Sequence, residues 1–267
     1  MDRMQIIKMV QQYRRVMPRL GTLKLYYLLK PDFNSIGIKC GRDKLFDILR
    51  AERMLVKRKK NFTRTTNSHH RYWKHPNRIK ELEIKRPEQV WVSDITYIKT
   101  RKQPLYLSLV TDAYSKKIMG YELADNLKVA GTLKALKMAL KQRQYPDQSL
   151  IHHSDRGLQY CAPAYTDMLE NKGIDISMTT KYDPYGNAIA ERINGILKSE
   201  FEIGEGFIEQ KDAQKAIKQS IHIYNQMRPH LSCKYRTPEQ AHSYPNFEPI
   251  RWKKKISKYK NEELRTT

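Results

Sequence analysis

Three carboxylates in this chain stand in segments where an acid is unexpected. Asp94 interrupts the apolar run QVWVSDITYI, Asp155 closes SLIHHSD, and Glu191 lies in NAIAERINGILKSE. Sixty residues separate the first two and 35 the second pair. Three converging carboxylates can hold two divalent cations about 4 Å apart, an arrangement that serves in-line displacement at phosphorus. Oxygen ligands favour Mg²⁺ or Mn²⁺ over zinc. Each acid also has an ordinary reading: a satisfied structural Asp, a turn or capping Asp, and a solvated helix face. With 28 acids among 267 residues, chance supplies about three acidic pairs at any fixed offset. Spacing alone therefore decides nothing, and the surrounding elements must.

Asp94 has Val90, Val92 and Ile98 on its own face of a strand and Trp91, Ile95 and Tyr97 on the other. A carboxylate there is partly buried and costly unless something pairs with it. Asp155 ends a strand just before Arg156-Gly157, and ligands gather at the carboxyl ends of such strands. Winding residues 183–200 at about 100° per residue puts Ile189, Ile193 and Ile196 on one stripe. Asn187, Glu191, Asn194 and Lys198 fall opposite, with Lys198 two turns beyond Glu191. Period and composition place strands at 89–98, 104–115 and 116–124, a meander with a hairpin turn near Ser115. A helix follows at 128–143, a strand at 149–155, a helix at 163–172, a strand at 173–178, a turn-rich start at 183–187 leading into a helix that runs to 200, and a helix at 209–225. The reading is α/β: a five-stranded mixed sheet flanked by helices, the last two strands reached by helical crossovers.

Before the sheet, residues 4–17 repeat Ile6, Ile7, Val10, Tyr13 and Met17 at helical spacing. Thr22 is placed to cap a second helix through Leu29, which Pro31 should stop. A third helix, 42–53, turns Leu45, Ile48 and Leu49 inward and leaves Arg42, Lys44 and Arg50 outside. This is a helix-turn-helix-like DNA-binding pattern or a plain helical bundle, and the charge favours DNA. Residues 56–80 have no period and many basic side chains, with Phe62, Tyr72 and Trp73 interleaved. They read as a linker along a phosphate backbone, with Lys57, Arg58, Lys59 and Lys60 as contacts. His69, His70 and His75 read as polar linker residues, with metal binding the alternative. The expected division is a helical DNA-binding domain at 1–56, a basic linker at 57–88, a catalytic core at 89–245 and a basic tail at 246–267.

The formal net charge of +23 points to a polyanionic partner, nucleic acid first. Residues 1–88 carry +15 of it and residues 89–267 carry +8. No apolar run approaches a membrane span and the N-terminus has no signal-peptide core, so an intracellular protein is expected. Cys40, Cys161 and Cys233 lie far apart and form no metal or disulfide pattern.

The strand order with Asp94, Asp155 and Glu191 resembles the ribonuclease-H-like core of retroviral integrases and DDE transposases. WVSDITYI, HSDRGLQY, NAIAERINGILKSE and YNQMRPHLSCKYRTPEQA resemble more specifically the second-frame (OrfB) transposases of bacterial insertion sequences, the IS-three group. The likeness extends to MPRLGTLKLYYLL and GRDKLFDILRAERML, where that family has a helix-turn-helix-like segment. It implies that Asp94, Asp155 and Glu191 are a metal-binding triad for two Mg²⁺ or Mn²⁺ ions. It matches Lys198 to the basic residue the family carries seven positions after its glutamate, a DNA contact. It implies cleavage and strand transfer at element ends, acting on double-stranded end and target DNA. A homo-oligomer on that DNA, an upstream-frame subunit and the bacterial cytoplasm are implied too. One departure is KYDPYGN, which replaces a glycine-rich approach to the Glu191 helix. His152 and His153 read as packed strand histidines, with a place behind Asp155 the alternative. Tyr224, Asn225, Arg228 and His230 are expected to support the Glu191 helix rather than touch DNA. The rivals are a nuclease that only hydrolyses and a domesticated, non-catalytic DNA-binding regulator; the N-terminal module speaks against the first and the three intact carboxylates against the second.

Overall fold

β-branched and aromatic residues from Val90 onward build the sheet that the rest of the chain covers. The computed structural model describes residues 2–57, 72–180, 186–247 and 249. Arg58, Lys59 and Lys60, the linker residues Phe62, His69 and His70, and most of the expected tail lie outside the described residues. The strands are β1 (Val90–Ile98), β2 (Leu105–Asp112), β3 (Ile118–Ala124), β4 (Ile151–Ser154) and β5 (Asp175–Met178), in the spatial order β3-β2-β1-β4-β5. β1 pairs antiparallel with β2, and β2 with β3; β4 runs parallel to β1 and to β5. The expected mixed sheet is therefore present, with each parallel step made through a helical crossover. Those crossovers are α4 (Val129–Lys141) and the pair α5 (Leu158–Cys161) and α6 (Pro163–Glu170).

Each face of the sheet has its own core. On one side Trp91, Val110 and Met119 pack with Ala135, Leu136 and Ala139 of α4 and with Tyr165 and Leu169 of α6. On the other, Leu107, Leu109 and Ile118 pack beneath α7 (Ala188–Glu200) and α8 (Gln210–Met227) through Ile193, Ile196, Ile217 and Ile221. α4 lies so close to β3 that a Cβ on Gly120 would fall on the Ala135 carbonyl oxygen and 2.6 Å from the Ala139 nitrogen. A short helix, α9 (Pro238–Ser243), follows α8; neither it nor α5 has enough periodic residues to be read from sequence.

The N-terminal helices are α1 (Asp2–Val16), α2 (Thr22–Ser35) and α3 (Arg42–Ala51). Two local expectations are corrected here. Gly21, not Thr22, takes the cap position of α2, without a side-chain hydrogen bond. Pro31 does not stop α2, which runs four residues further. Pro31 is exposed, so the carbonyl it leaves without a helix partner can turn to water. The true stop is Gly37 at φ +71°. Ile38 N–H donates to the Phe33 carbonyl (2.9 Å) and Gly37 N–H to Asn34 (3.4 Å), a Schellman closure with Phe33 and Ile38 both buried. The buried residues of α1 to α3 belong to the same cluster as those of α7 and α8. The described part of the linker is fastened as well. Ile79, Leu82 and Ile84 pack on Val90 and Val92, and Met178 N–H on β5 donates to the Pro76 carbonyl (3.2 Å). The three cysteines are buried and free.

Replacing Gly120 by Ala should force α4 off the sheet and cost about 1–3 kcal/mol. A urea titration checks this, with a lowered midpoint at unchanged slope as the expected result.

Candidate active site

The sheet register sets the first two carboxylates side by side. Val92 pairs with His153 and Ser93 with Ser154 on the parallel strands β1 and β4. Asp94 and Asp155 are the next residues of each. Asp94 shares its face with Val92, the side on which Ala190 of α7 packs. From that helix Asn194 Nδ2 donates to Asp94 Oδ2 at 2.8 Å. Two turns earlier Asn187 Nδ2 donates to the Ser93 carbonyl at 2.8 Å. Both asparagines are buried. The polar stripe of α7 is thus divided: its asparagines bond to β1, while Glu191 is exposed in the first helical turn. The aligned N–H groups of that turn favour a carboxylate.

Asp155 leaves β4 and folds back on its own chain. Its Oδ1 accepts the Gly157 N–H at 2.9 Å, and a Cβ on Gly157 would stand 2.9 Å from that same oxygen. A side chain at 157 would press on the carboxylate end that this N–H holds. Sequence reasoning passed over this, although the glycine two places after the aspartate was the available signal. His152 and His153 are packed strand histidines, as expected. The Ser93 hydroxyl and the Tyr165 hydroxyl meet His152 Nε2 at 2.8 and 3.0 Å, and burial pushes that imidazole down to about 3. His153 donates from Nε2 to the Gly186 carbonyl (3.0 Å), tying β4 to the entry of α7.

The three acids act on one another. Burial, then the Asp155 charge, push the Asp94 carboxyl up to about 7; Asn194 opposes this and Glu191 adds to it. Glu191, though its side chain is exposed, is raised by partial loss of solvation and then by Asp155. Half-buried Lys198 is lowered by burial and drawn the other way by Asp94. The structure therefore brings Asp94, Asp155, Glu191 and Lys198 within electrostatic reach. Among the described residues no three His, Cys, Asp or Glu side chains close to metal-holding distance. Like charges hold apart without a counter-ion, and a set of three mutually destabilised oxygen donors suits a hard cation.

The remaining candidates stand elsewhere. Arg42, Lys44 and Arg50 are exposed on α3, and none is among the charges that act on the carboxylates. Arg42 pairs with Asp43 and Arg50 with Asp47, while Lys44 Nζ donates to the Lys39 carbonyl. Lys57 is exposed. Within the YNQMRPH segment Arg228, backed by His230, supports α7 as expected, whereas the hydrogen bonds of Tyr224 and Asn225 go to the β2–β3 turn and β3. Arg228 forms two parallel bonds to Glu200, the last residue of α7, from Nε and Nη2, both at 2.8 Å. Its Nη1 donates to His230 Nε2 (2.8 Å). The Asn225 side chain bonds both backbone groups of Ile118, and the Tyr224 hydroxyl donates to the Lys116 carbonyl. Lys24 of α2 reaches the same Glu200 at 2.8 Å, and Arg19 N–H donates to its carbonyl. Burial works against the Glu200 charge, but Arg228 and Lys24 outweigh it and hold the carboxyl below its usual range. Only the support role of Arg228 and His230 was legible beforehand; Glu200 was not singled out.

Residues 84–184 match a family model described as integrase core domain, and residues 172–238 match a second of the same description. The uncharacterized 31 kDa protein of insertion element IS600 from Shigella sonnei is 38% identical over 204 residues, 76% of this chain and 75% of that protein. Transposase InsF for insertion sequence IS3A of Escherichia coli (strain K12) is 36% identical over 155 residues, covering 58% of this chain and 54% of its own. The chain belongs to the IS3-type transposases. It is a DDE-type transposase, a polynucleotidyl transferase with an integrase-like core. The simian T-cell lymphotropic virus intasome, solved by cryoEM in complex with PP2A regulatory subunit B56 gamma, shares the fold of the transposase. The TM-score is 0.53 at 18% identity, over 89% of this chain and 76% of that one.

Two outcomes follow for the transposase. Between the ordinary value of 3.8 and about 7, folded Asp94 keeps a proton that the unfolded chain has lost. Stability should fall as pH rises through that window. Thermal unfolding in chelator at about pH 5 and about pH 8 should show a larger loss for the native chain than for Asp94→Asn. Arg228→Met leaves a buried carboxylate with Lys24 alone and should cost about 3–5 kcal/mol, read from a denaturant midpoint.

Proposed function

We propose that Asp94, Asp155 and Glu191 are the three DDE carboxylates of this transposase and that they hold two Mg²⁺ or Mn²⁺ ions. The observation that carries this is the register of β1 and β4, which sets two aspartates side by side within reach of the Glu191 charge. Bound there, the ions supply activation of the attacking oxygen and stabilisation of the leaving one.

The chain's own residues prepare that site. Asn194 fixes one oxygen of Asp94, and the Gly157 N–H fixes one oxygen of Asp155. The N-terminus of α7 favours the charge of Glu191 without closing it onto the aspartates. Lys198 neutralises a DNA phosphate from a position inside the field of Asp94. Water attacks a phosphodiester at an element end and a 3′ hydroxyl leaves. That hydroxyl then attacks a target phosphodiester and displaces a second 3′ oxygen. Each step exchanges one P–O bond for another, so no covalent protein–DNA intermediate is needed.

Recognition of element ends belongs in this reading to the helices of residues 1–56. Arg42, Lys44 and Arg50 leave surface pairs that cost little to break, and Lys57 to Lys60 contact phosphates. The protein works as a homo-oligomer on DNA in the bacterial cytoplasm, together with an upstream-frame subunit. No described helix is long and apolar enough to cross a membrane.

Asp94→Asn, Asp155→Asn and Glu191→Gln each remove a ligand while changing little volume. Each should abolish strand cleavage and strand transfer in Mg²⁺ and leave duplex binding largely intact. Gel assays of both reactions decide the matter; cleavage by any one variant at the native rate would sink the assignment.

A further inference from the structure

Beyond Lys198 lie further cations with no role in the proposed chemistry. They stand in the β1–β2 loop, where Lys99, Arg101 and Lys102 are exposed. A turn after α7 holds the two parts together. Gly204 N–H donates to the Lys198 carbonyl (3.2 Å), and a Cβ on Gly204 would stand 3.1 Å from both that oxygen and Lys198 Cβ. Two residues on, Gly206 at φ +101° brings the backbone against Lys99, where an added Cβ would meet Lys99 Cβ at 3.3 Å. Phe207 N–H donates to the Lys99 carbonyl and Arg101 N–H to the Phe207 carbonyl, both at 3.0 Å. One glycine thus seats each lysine, and the loop tip is clamped by backbone bonds.

The clamp sets like charges together: Lys99 works to lower the pKa of Lys198. Such crowding is unfavourable until an anion arrives. The two acids of the same turn, Glu202 and Glu205, leave the four cations in excess. Arg42 and Arg50 on α3 each have an aspartate of their own helix. Lys99, Arg101 and Lys102 form no ion pair among the described residues.

We propose that Lys99, Arg101 and Lys102, continuing from Lys198, form a track for the phosphodiester backbone of the duplex that flanks the scissile phosphate. The proposal rests on the assignment of Asp94, Asp155 and Glu191 as the reacting centre. The test uses the full chain without divalent cation, so that binding is read and cleavage is not. Affinity is titrated against salt for two duplexes, one carrying the inverted repeat that borders the element and one of unrelated sequence. Replacing Lys99, Arg101 and Lys102 by Gln should weaken binding and lower the log–log salt slope by about 2–3, near 0.9 for each phosphate no longer neutralised. Lys99→Arg with Lys102→Arg should keep affinity and slope. Loss on the repeat duplex alone assigns the track to donor DNA, loss on the unrelated duplex alone assigns it to target DNA, and loss on both assigns it to either. Should the triple variant lose its fold, Lys102→Gln is read in the same way for about one unit of slope. An unchanged slope and affinity on both duplexes, in a folded variant, overturns the proposal. Cleavage by the carboxylate-to-amide variants would overturn the triad instead and leave this binding result standing.

Discussion

The fork of hydrogen bonds between Arg228 and Glu200 is the contact on which the rest of the molecule depends. A buried ion pair is dear to assemble and dearer to break, because the surviving partner is left as an uncompensated charge. Three segments meet at it: α2 through Lys24, the end of α7 through Glu200, and the turn after α8 through Arg228. The helix that carries Glu191 is therefore fixed at its far end by charge and along its length by Ile193 and Ile196. Asn187 at its start and Asn194 at its middle bind it to β1. Glu191 itself is left exposed in the first turn. That distribution suits a carboxylate whose neighbours repel it: the helix is held at both ends, and the one side chain that must adjust is exposed.

Much of this was legible in the sequence because its signals are local. The apolar run around Asp94, the apolar stripe of α7 and the β-branched strand cores each report on a single element. Three strands followed by alternating helices and strands leave few ways to build a sheet, and the mixed order was reached by that route. Asp94 stood out because an acid in an apolar strand is costly wherever it lies.

What the sequence hid was non-local or stereochemical. Pro31 is a strong stop signal, yet α2 continues because the proline faces solvent and Phe33 is anchored in the core beyond it; the closure belongs to Gly37. Glu200 looks like any acid at the end of a helix until Lys24 and Arg228, 176 and 28 residues away, arrive at it. Gly157 is indistinguishable from a turn glycine until the Asp155 oxygen is placed against it. The polar stripe of α7 was correctly drawn, but its division into two buried asparagines and one exposed glutamate depends on which residues β1 presents to them.

The hydrogen bond between Met178 and Pro76 has a consequence for how copies of this protein can meet. An outer strand with open N–H and C=O groups is a template onto which a second chain can add. β5 is such a strand, and at its end the incoming chain accepts a hydrogen bond through a proline that has none to return. The ladder is ended there rather than extended. The chain at Pro76 thereby covers the Met178 end of β5, so a second chain pairing along this edge would have to displace it there.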